Sequence, residues 1–452
     1  MTRETDMIPH LGHDPAVLEH ARAILDACDD TRDMQRAVVS AVERNERWRG
    51  SECLNLIAAE SPTSPLVRQL LSAEVGIRAT GGHIGRKTRC FAGTHILDEL
   101  EALAIELLKR LLECEYVDHR LMGGMAGCLA VYTALAEPGD IVMTVPEPVG
   151  GDSSNRHDGP PGARGLKVVD LPFDPEELEV DLELFRKMAP LVRPKIVGLG
   201  MTMALFPFPL AAMRDIVADW GGKMYFDAAH QLGLIAGRCY QHPLAEGADI
   251  MTGSGGKTFS GPQSGVIAWN DQSLTDQVVD TIFPMLTGSH QANRVAALAV
   301  SAIEQIAYGE QYMGQVVKNA KSIAAALDAR GVPMLCSHKG YTETHQVMFD
   351  AQPYGGGFET AERLAEANII VNKMLLPRDQ WRDVHRPSGV RLGVVELTRL
   401  GMKSAEMETV ADFIARLLVN KEPVDKVLND VRAFREPFQT LYFHHGTGLP
   451  PT

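Results

Sequence analysis

Lys257 stands in Ser254-Gly255-Gly256-Lys257-Thr258, thirty residues after Asp227, which closes an apolar run in Met224-Tyr225-Phe226-Asp227-Ala228-Ala229-His230. A lysine amine condenses with an aldehyde to form an imine. A carboxylate at a strand end keeps a pyridine nitrogen protonated, so that the ring accepts electrons. The pair therefore suits pyridoxal phosphate chemistry. The same pattern also arises by chance in α/β chains that do no such chemistry.

Other residues would complete such a site. Leu121 to Gly127 opens a helix that runs through Val131 and Leu135, and Gly123, Gly124 and Met125 stand at its start. Small residues there let backbone N–H groups approach a phosphate at the positive end of the helix; a tight packing loop is the plain alternative. Ser254 and Thr258 offer hydroxyl donors beside the lysine, or merely cap. His230 would reach a ring oxygen or the substrate, or be structural. Arg391 lies inside the apolar run Gly389-Val390-Arg391-Leu392-Gly393. A buried guanidinium needs a carboxylate, which a substrate or an internal Asp or Glu would supply.

The elements that must position these residues follow from hydrophobic periodicity. Apolar β-type runs at Asp140–Met143, Lys195–Leu199, Met224–Phe226, Asp249–Met251 and Gly265–Trp269 alternate with helices. This α/β alternation predicts a mostly parallel sheet covered on both faces. Thr94–Leu112 reads as an amphipathic helix with Leu97, Leu100, Leu103, Ala104, Leu107 and Leu108 on one face. Ala211–Trp220 reads as a helix that Gly221-Gly222 ends. After a helix near Ala292–Tyr308, a smaller α+β unit begins, with strands near His345–Phe349 and Val390–Val395 and a final helix at Ala405–Val419. The expected division is a polar helical arm over 1–52, a large domain over 53–305 and a small one over 306–452.

Composition narrows the classes. The chain has 452 residues, 45% of them apolar, enough for roughly two or three domains. A count of 44 Lys and Arg against 58 Asp and Glu gives −14, which disfavours a general nucleic-acid or anionic-membrane surface. The seven cysteines, Cys28, Cys53, Cys90, Cys114, Cys128, Cys239 and Cys336, lack metal-type spacing and read as reduced thiols of a cytoplasmic protein. No metal site is predicted. Met1 to Asp6 holds no apolar leader, and no 18-residue apolar run occurs.

Taken together, the motifs resemble those of the serine hydroxymethyltransferase family. Asn55 to Pro65 (NLIAAESPTSP) resembles LIASEN-x-TSP, and Tyr225 to Gly237 (YFDAAHQLGLIAG) resembles VDMAH-x-xGL-x-A-G. Lys257 to Gly265 (KTFSGPQSG) resembles H-K-T-L-x-GPRGG, and Val390 to Gly393 resembles LR-[IL]-G. The resemblance runs from about 50 to 420 and implies a fold-type I pyridoxal phosphate transferase: a mostly parallel seven-stranded sheet in a large domain, plus a smaller α+β C-terminal domain. It implies that Lys257 carries the cofactor, Asp227 partners the pyridine nitrogen, His230 lies beside the ring, Thr202 lies near its phenolic oxygen, and Arg391 grips the substrate carboxylate. It also sets Ala59 and Glu60 on the substrate side, where His83 is a further candidate after His230 for an acid–base or orienting role. It further implies a homodimer, or a dimer of dimers, in which Gly288 within Thr287-Gly288-Ser289 serves the neighbouring subunit's phosphate.

Departures from the family pattern bear on the reaction. The Y-x-E-G segment aligns with Arg78-Ala79-Thr80-Gly81, so Thr80 stands where a catalytic glutamate belongs, and a following Tyr pair becomes Cys90-Phe91. The ring-stacking histidine position falls on Val149, and Gly256 precedes the lysine. Threonine does not titrate near neutral pH; His83 or Glu74 is a substitute for the missing carboxylate. Gly340 to Val347 (GYTETHQV) and Thr398 to Lys403 (TRLGMK) resemble L-threonine transaldolases. The expected activity is thus folate-independent transfer of a glycyl unit from a β-hydroxy amino acid to an aldehyde. The alternatives are a folate-using serine or α-methylserine hydroxymethyltransferase and a non-catalytic pyridoxal phosphate-binding protein.

Overall fold

The structure, a computed structural model, describes residues 13–446. The Met1–Asp6 stretch and the last residues of the expected small domain lie outside the described residues. A seven-stranded sheet forms the main layer, built from β1 (Tyr116–Asp118), β2 (Ile141–Thr144), β3 (Lys167–Asp170), β4 (Ile196–Gly200), β5 (Lys223–Ala228), β6 (Ile250–Ser254) and β7 (Gly265–Trp269). Their spatial order is β1-β7-β6-β5-β4-β2-β3, and only β7 runs antiparallel to its neighbours. β4, β6 and β7 are buried along their whole length, so their sequences read as unbroken apolar runs. β1 and β3 escaped the sequence reading: one has three residues, and the other is a half-exposed edge strand flanked by charges.

Register sets the site. Asp227 on β5 pairs with Gly200 on β4 and Thr252 on β6, at the carboxyl ends of three adjacent parallel strands. Parallel α/β sheets bind ligands at such ends. A Cβ on Gly200 would come within 2.3 Å of Asn155 Nδ2, so glycine there leaves room for Asn155 to reach Asp227.

The helix expected over Thr94–Leu112 spans His95–Leu112, but its buried stripe is Glu101, Ala104, Leu108 and Leu112, whereas Leu103 is 55% exposed. The helix after Val217 closes through a short turn at Gly221, whose φ of 72° suits glycine. The helix expected over Ala292–Tyr308 continues unbroken to Asp328, 37 residues or about 55 Å. It passes through the 305/306 position where the chain was divided above.

In the C-terminal part, Gln346–Asp350, Gly389–Gly393 and Asn372–Met374 form an antiparallel sheet. Behind it lies Ser404–Leu418, followed by Val424–Arg435, a helix the sequence reading did not include. Leu54–Asn55 pairs in parallel with Ile369–Ile370, Leu54 and Leu56 join this part's core, and Arg435 donates to the carbonyl of Cys53. Residues just after 52 are thus welded to the small unit. Pro15–Asp26 and Thr31–Arg47 form helices that bury no residue of their own. Among the described residues, no helix is long and apolar enough to cross a membrane.

Candidate functional site

Lys257, Asp227, His230, Thr202, Ser254, Gly124 and Met125 all line one cavity of about 240 Å³ at the ends of β4 to β6. Asp152, Ser154, Met201, Ala229 and Gln263 complete its wall. Gly123 caps the helix Gly124–Leu135, whose first N–H groups have no partner within the helix and suit an anion.

Asp227 is held from several sides. Its Oδ2 accepts from Asn155 Nδ2 at 3.0 Å and Cys128 Sγ at 3.3 Å, and its Oδ1 accepts from Ala229 N at 3.0 Å. Tyr132 donates in turn to Asn155 Oδ1 at 2.8 Å, orienting that amide. Burial pushes the Asp227 carboxyl above its ordinary value, although Asn155 and the Lys257 charge oppose the rise. Such a carboxyl is stabilised by a cationic ring N–H. Burial likewise pushes Lys257 down, against the pull of Asp227 and Asp152, which favours the neutral, nucleophilic amine.

Arg391 is 5% exposed. Its Nε donates to Asn372 Oδ1 at 2.9 Å, and Nη1 donates to Thr202 Oγ1 at 2.8 Å and to the Thr202 carbonyl. No carboxylate among the described residues pairs with it, so of the two partners weighed from sequence the internal acid drops out. Burial pushes its guanidinium down to about 10, with Asp152 opposing. An uncompensated buried cation is a strong docking point for an incoming carboxylate. His230 Nε2 lies 3.5 Å from Arg391 Nη1, and burial holds the imidazole well below its ordinary value, with the charges of Lys257 and Arg391 adding to the effect.

Other expected residues lie elsewhere. Val149 packs in the hydrophobic core with Met201 and Leu199, and Asp152, three residues on, is in the cavity wall. Thr258 takes the plain reading: its Oγ1 donates to the His230 carbonyl and accepts from Gly233 N. Glu60 binds Arg49 and Asn55 at 2.6 and 2.8 Å, and Ala59 sits in a turn beside it. His83 lines a second cavity and meets Phe283 edge-on. Glu74 pairs with Arg78 at 2.5 Å. Gly288 is not in the Lys257 cavity wall; it lies near Gly81, and Thr80 N donates to Ser289 Oγ at 3.3 Å.

The sequence reading missed Asp152, Ser154, Asn155, Asn372 and Gln346. The first three sit in the polar stretch Gly150-Gly151-Asp152-Ser153-Ser154-Asn155, which carries no hydrophobic periodicity. Gln346 begins a strand of the small unit and reaches His230 at 3.1 Å.

A mostly parallel seven-stranded sheet with an aspartate and a lysine at its strand ends, faced by an arginine of the small antiparallel sheet that pairs with no carboxylate among the described residues, defines a pyridoxal phosphate-dependent enzyme of fold type I. The residues present fit that cofactor: a free helix N-terminus for the phosphate, a buried Asp227 for the ring nitrogen, and a buried amine for the aldehyde. The chain belongs to the serine hydroxymethyltransferase family, whose model matches residues 32–414. It is 41% identical to the serine hydroxymethyltransferase of Methanopyrus kandleri over 91% of this chain and 96% of that protein. The enzyme of the same name from Staphylothermus marinus is also 41% identical, over 88% of this chain and 90% of that protein. Among solved structures, an L-threonine transaldolase from Pseudomonas fluorescens, in its internal aldimine state, matches with a TM-score of 0.84 at 26% identity, covering 92% of this chain and 94% of that one.

Proposed function

We propose that this enzyme cleaves the Cα–Cβ bond of L-threonine and passes the glycyl unit to an acceptor aldehyde without folate. The observation that carries this reading is Thr80. It is fully buried, its Oγ1 donates to the His290 carbonyl at 2.6 Å, and it stands where the family pattern calls for a titrating glutamate. A residue so placed neither accepts nor returns a proton near neutral pH.

Bound pyridoxal phosphate supplies an electrophilic carbon and a ring that withdraws electrons from the substrate's α-carbon. Lys257, whose burial favours the neutral form, provides the amine that holds the cofactor and yields to the substrate amine. Asp227, fixed by Asn155 and Ala229, holds the ring nitrogen's proton. Arg391 takes the substrate carboxylate, and Asn372 and Thr202 keep its fork in place. The Thr202 hydroxyl, already accepting from Arg391, has its own proton left to donate. His230 orients the substrate within reach of Arg391. Asp152 faces the same space from the Gly151 loop and adds negative charge near Lys257.

A second reading, a tetrahydrofolate-using serine or α-methylserine hydroxymethyltransferase, is supported by the names of the 41%-identical relatives. Gly288 and Ser289 would serve a neighbouring subunit in either case. Incubation with L-threonine and a panel of aldehydes, with and without tetrahydrofolate, separates the two. Acetaldehyde release and a new β-hydroxy amino acid without folate support the transaldolase. Serine turnover that requires folate, with threonine inert, overturns it.

A further inference from the structure

Outside the Lys257 cavity lies a second constellation of buried chemistry. Glu101, His119 and His290 are 1%, 3% and 4% exposed, and each offers a ligand atom within 4.8 Å of the others. His119 Nε2 and His290 Nε2 stand 3.3 and 3.0 Å from the same atom, Glu101 Oε2. Close as they are to that oxygen, both Nε2 atoms, and His119 Nδ1, are buried without a well-formed hydrogen bond. The two rings meet edge-to-face with centroids 5.6 Å apart. Glu101 and His119 also line a cavity of about 270 Å³, shared with His83 and Asp118.

We infer that Glu101, His119 and His290 form a binding site for a divalent transition-metal cation of the zinc type, with an open position toward this cavity. Two imidazole nitrogens and one carboxylate oxygen form the donor set that such ions favour. Ligands at zinc–nitrogen distances sit about 3.3 Å apart on the edge of a tetrahedron, close to the two separations seen here. A purely ionic explanation fits poorly. Two imidazolium ions would crowd together beside the cations Arg89 and Arg120, around a single carboxylate.

The surroundings agree. Glu101 Oε1 is taken by Arg89 Nη2 at 2.5 Å, which leaves Oε2 for the ion and fixes the carboxylate plane. Arg89 is matched by Asp98 and Arg120 by Asp118. Two guanidiniums against three carboxylates leave one negative charge for the cation. The site also has a structural consequence. Arg89 donates to the Thr80 carbonyl, and Thr80 donates to that of His290. An ion here would tie the 80–89 loop to the Ser289–His290 turn.

The test uses untagged, cofactor-loaded enzyme, stripped by dialysis against a chelator and titrated with Co²⁺ and then Zn²⁺. The expected result is about one Co²⁺ per chain, with visible bands of a tetrahedral ion that Zn²⁺ abolishes. His290→Gln and His119→Gln, each checked for retained cofactor and circular dichroism, should weaken binding roughly tenfold or more. Wild-type enzyme that takes up no Co²⁺, or takes up the same amount as the double variant, overturns the assignment. So does Co²⁺ bound without a tetrahedral spectrum.

Discussion

The Gln346 side-chain amide fixes the tautomer of His230. Its Oε1 accepts the Ala204 N–H at 3.0 Å, which turns its Nε2 donor toward His230 Nδ1 at 3.1 Å. Nδ1 is therefore an acceptor, and the imidazole proton sits on Nε2, the nitrogen nearest Arg391. Burial lowers the His230 pKa, which favours the neutral ring, and in this tautomer Nε2 is the donor.

Gln346→Glu keeps the shape and the Ala204 bond but sets a carboxylate against Nδ1. The His230 pKa then rises, and a titration should enter kcat/KM between about pH 5 and 8 that wild type lacks. Identical pH–rate profiles for the two enzymes would show that His230 does not sense Gln346.

Lys257→Ala removes the amine that holds the cofactor. We expect loss of the protein-bound visible absorption and a fall in kcat of roughly a thousandfold or more. Absorption spectra of enzyme reconstituted with pyridoxal phosphate decide this; an unchanged spectrum removes the assignment.

Arg391→Ala should weaken binding of amino acids and simple carboxylates by about 2–4 kcal/mol, and cofactor binding far less. Burial brings the Arg391 guanidinium down to about 10, so in wild type a carboxylate inhibitor without an amine should bind well below that pH and lose affinity as pH rises through it. Equal losses for cofactor and carboxylate point to a structural arginine.

Thr80→Val deletes the hydroxyl that satisfies the His290 carbonyl. Stability should drop by about 1–2 kcal/mol in denaturant titration. Threonine cleavage should stay within about threefold, since loss of a general acid–base group costs roughly 100-fold or more. A drop of that size would give Thr80 a chemical role and weaken the proposed reaction.

Glu396 accepts from Asn55 Nδ2 at 2.6 Å beside Glu60, and burial raises its carboxyl to about 7. The folded chain then binds this proton more tightly than the unfolded chain, so stability is full below about 4.5 and is lost as pH rises to about 7. Glu396→Gln should be near neutral at pH 5 and stabilising at pH 8 by roughly 1–3 kcal/mol. Parallel stability–pH curves for variant and wild type would contradict this.

The central strands were legible because β4 to β7 are buried on both faces, and their apolar runs need no partner to be seen. Lys257, Asp227 and Arg391 were legible for a related reason: a lysine among glycines, an acid ending an apolar run and an arginine inside one each break a local pattern. The edge strand β3 and the three-residue β1 broke none. On the Thr94–Leu112 helix the expected face is buried or half-buried apart from the exposed Leu103, while Glu101, outside that reading, lies in the buried stripe. Hydrophobicity ranks leucine first, but Arg89 satisfies the carboxylate and permits the reverse.

Local sequence, then, determined which segments become strands and which side chains carry reactive groups, because propensity, periodicity and ionisation belong to residues and their near neighbours. The tertiary structure alone decided that Arg391 meets no carboxylate among the described residues, that Asp152 lines the cavity, and that Gln346 sets the tautomer of His230. It alone brought Glu101, His119 and His290 onto one point. These are meetings between residues up to 189 positions apart. They follow from strand register and helix packing, and so leave no trace in any short window of the chain.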